Sequence, residues 1–520
     1  MEGVLSKGRC LILALAIVFF SSSWLLDGLE TVNLQDCFAI VRGIEGSVTV
    51  AVCTVRSLQS LKQAWGSSTV LWSGPDPCAD KWEGILCEDN RVVSLYLVNK
   101  ELKGTIPPAI GDLTALQNLD LSFNGNLQGT LPDELGKLTS LEYLSIQSCN
   151  FSGSIPSTLG TLVNLTFLAL NNNNLDGTIP SSVGTLSKLK RFDVAYNKLT
   201  GPLPVSTNNP VKIGLDTWPA IEHYHWNDNL FTGNIPPELG NARNCVHMIL
   251  EFNRFTGQIP ESFENLSSLK ILLVGNNQLT SPIPSTLNNI VTNGAKGLLQ
   301  LRAANNRLTG TVPVLSALNQ LQLMRFENAN LTGPLPADIL TYSALQGLYL
   351  QNNEIDGTLT IPEILGLNLR YVSLQNNNIT GLVQPDPYSA ESVLVMLQGN
   401  PLCTFTGGFV NISPELCNTT KPTMERAWVS PMVSKNTCQN MICGNRFYLN
   451  PLQCRCSKPL VVTLEVRSPS FTNINDPPLW DSFKNQTVTS LKTLTQHETP
   501  PLQFESEQLW IRDASLMAMC

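Results

Sequence analysis

The chain has no run of Lys or Arg, and its formal net charge is −8 over 520 residues. Nucleic-acid binding needs a concentrated basic footprint, so that class is excluded. No apolar run of about 20 residues, the length that crosses a bilayer as a helix, follows Cys456. The glycine-rich G-x-G-x-x-G loop is missing, as are V-A-I-K, H-R-D and D-F-G, so the chain carries no kinase domain of its own. Histidine is scarce, at four residues. Asp193 and Glu251 are lone carboxylates, without a nucleophile or a partnered base, which gives no support to catalysis. No cofactor is expected.

What the chain has is repetition. Leu141-Glu-Tyr-Leu-Ser-Ile-Gln-Ser-Cys-Asn-Phe-Ser-Gly-Ser-Ile-Pro156 is followed, 24 residues on, by Leu165-Thr-Phe-Leu-Ala-Leu-Asn-Asn-Asn-Asn-Leu-Asp-Gly-Thr-Ile-Pro180. The shared pattern is L-x-x-L-x-L-x-x-N-x-L-x-G-x-I-P. Its first position falls at Val92, Leu116, Leu141, Leu165, Leu189, Ile221, Cys245, Leu269, Leu298, Leu321, Leu345 and Leu369, giving 12 repeats and a half-repeat that runs into Asn400. Leucines at the first, fourth and sixth places point inward from a short strand. The Asn turns the chain, and its side chain satisfies backbone groups that the turn leaves open. One copy cannot bury its own apolar face, so stacked copies share a continuous core. The expected fold is an α/β solenoid: a right-handed superhelix with a parallel concave sheet over residues 92–400. Two longer steps place extra residues near Val205–Pro219 and Leu287–Gly297.

Residues 1–23 read as a secretory signal, with Lys7 and Arg9 ahead of an apolar Leu11–Phe20 and small residues at Ser21–Ser23. A secreted chain gives meaning to 14 cysteines as disulfide candidates. It also gives meaning to the N-x-S/T sequons at Asn150, Asn164, Asn265, Asn330, Asn378, Asn411, Asn418 and Asn485. The expected location is the secretory pathway, ending at the cell surface or outside it.

Residues 24–91 form a leader and cap. Val55, Leu58, Leu61 and Trp65 have helical spacing, and Trp72-Ser-Gly-Pro-Asp-Pro-Cys78 and Trp82-Glu-Gly-Ile-Leu-Cys87 follow. The repeats and this leader resemble plant leucine-rich repeat receptor-like kinases. The resemblance implies an N-terminal cap with Cys78 bonded to Cys87, and disulfide-capped ends. Asp36–Cys53 departs from that family. It reads as an extra disulfide-linked hairpin or as translated intron sequence, the second being favoured.

Three further features are similar to one subgroup of those receptors: the strand His223-Tyr-His-Trp226, Cys149 at the Asn place, and Cys454-Arg-Cys456. In that subgroup a transmembrane helix and a cytoplasmic Ser/Thr kinase domain follow, so membrane anchoring of this polypeptide would need a longer isoform. Residues 401–475 then correspond to a Cys-rich C-terminal cap and juxtamembrane module, and 476–520 to a weakly patterned tail. Cys403, Cys417, Cys438, Cys443, Cys454 and Cys456 read as structural cross-links first and as a thiol–disulfide sensor second. Zinc ranks below both, because an oxidising compartment favours disulfides and no His lies near.

On L-x-x-L-x-L the x places project from the concave sheet. His223 and His247 hold equivalent places on adjacent strands, with His225 two residues along, Arg191 and Asp193 one repeat earlier, and Glu251 beyond. These six residues read about equally as an ordinary solvated face and as a ligand-contact patch, with a metal site third. With an ordinary pKa near 6.5, the histidines would titrate in mildly acidic fluid and make contacts there pH-dependent. Cys149 and Cys245 read as small buried residues.

The leading functional expectation is a receptor ectodomain binding an extracellular peptide, wall-derived or protein ligand together with a co-receptor. The alternatives are a secreted inhibitor of a wall-degrading enzyme, resembling polygalacturonase-inhibiting proteins, and an extracellular oxidant sensor.

Overall fold

The computed structural model describes residues 52–66, 70–206, 213–290, 297–384, 393–404, 414–417, 448–450 and 455–457. The signal segment lies outside these, as does Asp36–Cys53 apart from Val52 and Cys53, which begin a helix. Two compact units are present, residues 1–419 and 420–520. In the second, the described part is an antiparallel pair, Tyr448–Asn450 with Arg455–Ser457.

The first unit is the solenoid. Its concave face is a 14-stranded sheet. The strands are β1 (Ile85–Glu88), β2 (Arg91–Tyr96), β3 (Asn118–Asp120), β4 (Tyr143–Ser145), β5 (Phe167–Ala169), β6 (Arg191–Asp193) and β7 (His223–His225). They continue with β8 (His247–Ile249), β9 (Ile271–Leu273), β10 (Gln300–Arg302), β11 (Leu323–Arg325), β12 (Gly347–Tyr349), β13 (Tyr371–Ser373) and β14 (Leu394–Met396). From β2 onward each pairs in parallel with the next, one strand per repeat plus one for the half-repeat. The L-x-G half of each repeat adds short lateral strands, such as Asn150–Ser154 beside Asn174–Asp176. The I-P that follows sets the next element: Pro156 and Pro180, extended, cap five-residue 3-10 helices on the opposite side. Those helices pack closely. A Cβ built on Gly136 would sit 2.5 Å from the carbonyl oxygen of Thr158 in the next repeat.

The asparagines act as predicted. Asn197 donates from Nδ2 to Leu170 O (3.0 Å) in the preceding repeat and to Val194 O (3.1 Å) in its own, and its Oδ1 accepts from Leu175 N–H (3.0 Å). Asn229, Asn253 and Asn277 repeat the set. Each buried amide therefore replaces water for three or more backbone groups, which is why the turn can be buried at all.

Both ends are covered. Helix α1 (Val52–Ala64) buries Leu58 and Leu61, followed by Trp65, against the first repeat. Trp65 meets Trp72 edge-on at 6.2 Å between ring centroids, and Trp72 stacks on Trp82 at 5.3 Å. Each indole donates to a backbone carbonyl, so none leaves a buried N–H open. Cys78 is bonded to Cys87, as the resemblance implied, and β1 runs antiparallel to β2 to close that edge. At the other end Cys403 is bonded to Cys417, a pairing the spacing had left open. That bond ties down α2 (Pro414–Cys417), and Leu416 O accepts from Leu397 N–H at 2.8 Å beyond β14. Cys438, Cys443 and Cys454 lie outside the described residues. Among the described residues no helix is long and apolar enough to cross a membrane.

Candidate functional site

The repeat that starts at Ile221 puts aromatic residues at two places where the repeat pattern has leucine. Tyr224 takes the central inward place of β7 and Trp226 the next, both fully buried. A phenol at a leucine place needs more room and a hydrogen-bond acceptor. The longer step before Ile221 supplies both. Its residues Leu215–Thr217 form a 3-10 turn, Tyr224 donates its O–H to Leu215 O at 2.6 Å, and Trp218 folds inward. Trp218 meets Phe192 edge-on at 5.4 Å and stacks on Tyr224 at 6.1 Å. The insertion is therefore core, and it fixes the strand that carries the histidines.

The register is the expected one. Arg191 pairs with His223 and His223 with His247, while Asp193 pairs with His225 and His225 with Ile249. Parallel strands at about 4.8 Å carry the rings into contact. His223 Nδ1 lies 3.1 Å from His247 Nδ1. Ring centroids are 4.6 Å apart for His223 and His247, 5.6 Å for His223 and His225, and 6.0 Å for His225 and His247. Asp193 Oδ2 accepts from Arg191 Nη2 at 2.9 Å and lies 3.2 Å from His225 Nδ1. Arg191 Nη2, which can only donate, lies 3.3 Å from the same Nδ1, and the carboxylate, which can only accept, lies nearer; with the proton on Nδ1 for the carboxylate, Nε2 is bare. That Nε2 is buried and has no hydrogen-bond partner.

This is not the solvated face that outward-pointing positions suggested. The Arg191, His225 and Asp193 side chains are 13, 11 and 4 % exposed. Burial, with the neighbouring rings and Arg191 adding to it, pushes His223 down to about 2. Burial, then His225 and Arg191, pushes His247 down to about 3. Burial and Arg191 also lower His225, against the pull of Asp193. His223 and His247 are thus neutral in mildly acidic fluid, and their expected titration near 6.5 is corrected: desolvation outweighs the ordinary preference of an imidazole. Burial raises Asp193, but the His225 hydrogen bond and the Arg191 charge offset it, leaving the carboxyl below its ordinary range.

Glu251 belongs elsewhere. Burial raises it, and the charges that act on it are Arg302, Arg325, Asp228 and Glu327. Arg302 and Arg325 are paired neighbours on β10 and β11. Arg325 forms an ion pair with Glu327 and lies 5.1 Å from the Tyr349 ring centroid. Arg302 Nε and Glu327 Oε2 are buried without partners. This second polar cluster was missed in the sequence. The signal was available, as arginines at the same x place of two successive repeats, Arg302 and Arg325, with Glu327 two residues on.

Cys149 fills the Asn place of its repeat, half-buried, with Sγ 3.4 Å from Leu121 O. Burial raises its thiol to about 11 and raises the buried Cys245 as well, so neither is a ready thiolate. Of the sequon asparagines, Asn150, Asn265, Asn330 and Asn378 are exposed and Asn164 is half-exposed; Asn411, Asn418 and Asn485 lie outside the described residues.

Comparison with known proteins agrees with this architecture. The Leucine Rich Repeat family model matches residues 115–138, 140–162, 164–186 and 244–266. A probable leucine-rich repeat receptor-like protein kinase of Arabidopsis thaliana is 45% identical over 464 residues, 84% of this chain and 47% of its own length. The chain thus spans about half of that relative. Among solved structures, that of PEPR1–AtPEP1 is similar with a TM-score of 0.57 at 29% identity, over 67% of this chain and 52% of the other. The Arabidopsis receptor kinase HAESA, in complex with the peptide hormone IDA and the co-receptor SERK1, is similar with a TM-score of 0.51 at 25% identity, over 67% and 66%. The chain is a leucine-rich repeat protein, homologous to the plant leucine-rich repeat receptor-like kinases.

Proposed function

We propose that this chain is the extracellular ligand-recognition part of a receptor, taking a small secreted peptide or protein on its concave sheet and a co-receptor beside it. The observation that carries this reading is the polar cluster at the ends of β10 and β11. Arg302, Arg325 and Glu327 sit together there, and two of their buried polar atoms lack partners. Unsatisfied charged groups on a concave face cost stability unless something completes them, and a peptide with charged or amide groups would do so. The similarity to HAESA, whose structure holds a peptide hormone and a co-receptor, points the same way. Secretion would bring glycans to the exposed Asn150, Asn265, Asn330 and Asn378, readable as mass lost on deglycosylation of the secreted protein.

The test is affinity capture of small secreted peptides from plant extracellular fluid on the full chain and on Arg302→Ala/Arg325→Ala. The expected result is one or more peptides retained by the first and lost from the second. Identical peptide profiles on the two proteins would defeat the reading.

A further inference from the structure

We infer that His223, His225 and His247 form a binding site for one divalent transition-metal cation, Zn²⁺ or Cu²⁺, on the concave face. One nitrogen from each ring lies within 4.8 Å of the other two. Among the described residues this is the group of His, Cys, Asp or Glu side chains whose donor atoms gather so closely. A tetrahedral ion with bonds of about 2.0–2.1 Å to imidazole nitrogen needs ligand nitrogens about 3.3 Å apart. The Nδ1 atoms of His223 and His247 are already 3.1 Å apart. The third nitrogen lies within 4.8 Å of these two, so closing on an ion asks it to approach by at most about 1.5 Å.

The surroundings supply what a bare triad of rings would lack. Metal-binding histidines commonly give their other N–H to a carboxylate, which fixes the tautomer and raises the basicity of the ligating nitrogen. Asp193 holds that position against His225 Nδ1 at 3.2 Å. The nitrogen so prepared, Nε2, is buried with no partner in the protein, and a buried acceptor without a donor is a standing cost that an ion would remove. Rigidity comes from below: the rings stand on β7 and β8, whose inward residues Tyr224 and Met248 are fully buried, and Tyr224 is pinned by Leu215.

The opposing charge is Arg191, 3.3 Å from His225 Nδ1. Its guanidinium is committed to Asp193, so the pair presents no net charge to the ion. Three neutral nitrogen donors suit Zn²⁺ and Cu²⁺ and do not suit Ca²⁺ or Mg²⁺, which take oxygen. A tetrahedral ion held by three rings keeps a fourth position for water or for a donor atom of a bound ligand. The site stands on its own geometry and does not depend on the peptide-receptor reading.

The experiment uses the full secreted chain with any affinity tag removed, stripped with chelator and titrated calorimetrically with ZnCl₂ and CuCl₂. One ion per chain is expected, with Cu²⁺ tighter than Zn²⁺ and Mg²⁺ and Ca²⁺ unable to compete. His223→Gln, His225→Gln and His247→Gln should each abolish saturable binding or weaken it by about 100-fold or more. Asp193→Asn, a positioning change, should weaken it by about 10–100-fold, while the electron paramagnetic resonance of the Cu²⁺ form still shows three nitrogens. His497→Gln, which alters the fourth histidine, should bind as the parent does. Melting curves without metal report whether each variant is folded. If His225→Gln does not fold, His223→Gln and His247→Gln decide alone. Absence of a one-to-one isotherm, or binding that survives in His223→Gln/His247→Gln, overturns the proposal.

Discussion

The repeats that begin at Leu141 and Leu165 share one backbone plan with the repeat that begins at Ile221, yet they fill it differently. In the first two, the inward places of β4 and β5 hold Leu144 and Leu168, and the outward faces carry Tyr143 stacked on Phe167 at 4.5 Å. In the third, the inward places hold Tyr224 and Trp226, Trp218 enters from the preceding insertion, and histidines stand on the outward face. A leucine core is complete within 24 residues. An aromatic core is not: it needs an extra segment to bring Trp218 and a carbonyl for the phenol. The irregular length and the polar outward cluster thus come together, because the insertion that fills the core also steadies the strand beneath the histidines.

The comparison breaks most severely at Trp218. Trp218→Ala removes a fully buried indole from contact with Phe192 and Tyr224. A loss of about 3–5 kcal/mol is expected, by the usual cost of large-to-small aromatic changes. Urea unfolding with near-ultraviolet circular dichroism would report it. A midpoint no lower than that of Leu168→Ala would mean that the aromatic repeat is held no differently from its leucine neighbours.

An asymmetry of the Asn place gives the next test. The step from Leu116 to Leu141 is 25 residues, one more than the step after it. The extra residue lets Leu127 N–H turn back to Asn124 O at 2.9 Å, where the equivalent Leu175 N–H needs Asn197 Oδ1. Cys149 therefore has no N–H to accept, and a thiol that only donates suffices. Asn197→Cys should cost about 1–3 kcal/mol, the penalty for buried groups left unpaired. Cys149→Asn should change stability by less than about 1 kcal/mol. Thermal melts of both variants check this, and equal and opposite shifts would refute the account.

Tyr224→Phe comes third. It removes the hydrogen bond to Leu215 O without emptying the core, so about 1 kcal/mol is expected. The change should appear first as faster amide exchange in Leu215–Thr217.

These cases mark what could be read from residues alone. Leucine and asparagine spacing fixed the register, so Arg191, His223 and His247 were placed as neighbours with no structure in hand. The helical cap could be read from Leu58, Leu61 and Trp65. Tyr224 was hidden because its partner lies nine residues back, inside a segment that breaks the period. The burial of the histidines was hidden for another reason. Outward places on a sheet are solvated only if their neighbours leave them open, and here the three rings pack on one another and Arg191 lies against His225. The Cys403–Cys417 bond depended on chain geometry beyond the last repeat, where periodicity has no reach.

The smallest predicted effect tests the two outward faces against each other in metal-free, chelator-containing buffer. His223 and His247 have folded-state values of about 2 and about 3, well under the 6.5 of an unfolded histidine. The unfolded chain therefore binds protons that the folded chain refuses. Stability is fully present above about pH 6.5 and is lost as pH falls from there toward the folded values. The groups that face these rings are His225 on β7, Arg191 and Asp193 on β6, and Lys270 ahead of β9. Between pH 7 and pH 6, each ring should cost about 0.7 kcal/mol, if it stays unprotonated when folded. His223→Gln/His247→Gln should flatten that slope. Tyr143→Phe, on the outward face of the leucine repeats, should leave it unchanged. Burial raises the Tyr143 hydroxyl, and Asp120 adds to that, so it does not titrate in this window. Urea midpoints at four pH values for the three proteins suffice. A slope that persists in the histidine double variant would show that the rings are already open to water and protonated when folded.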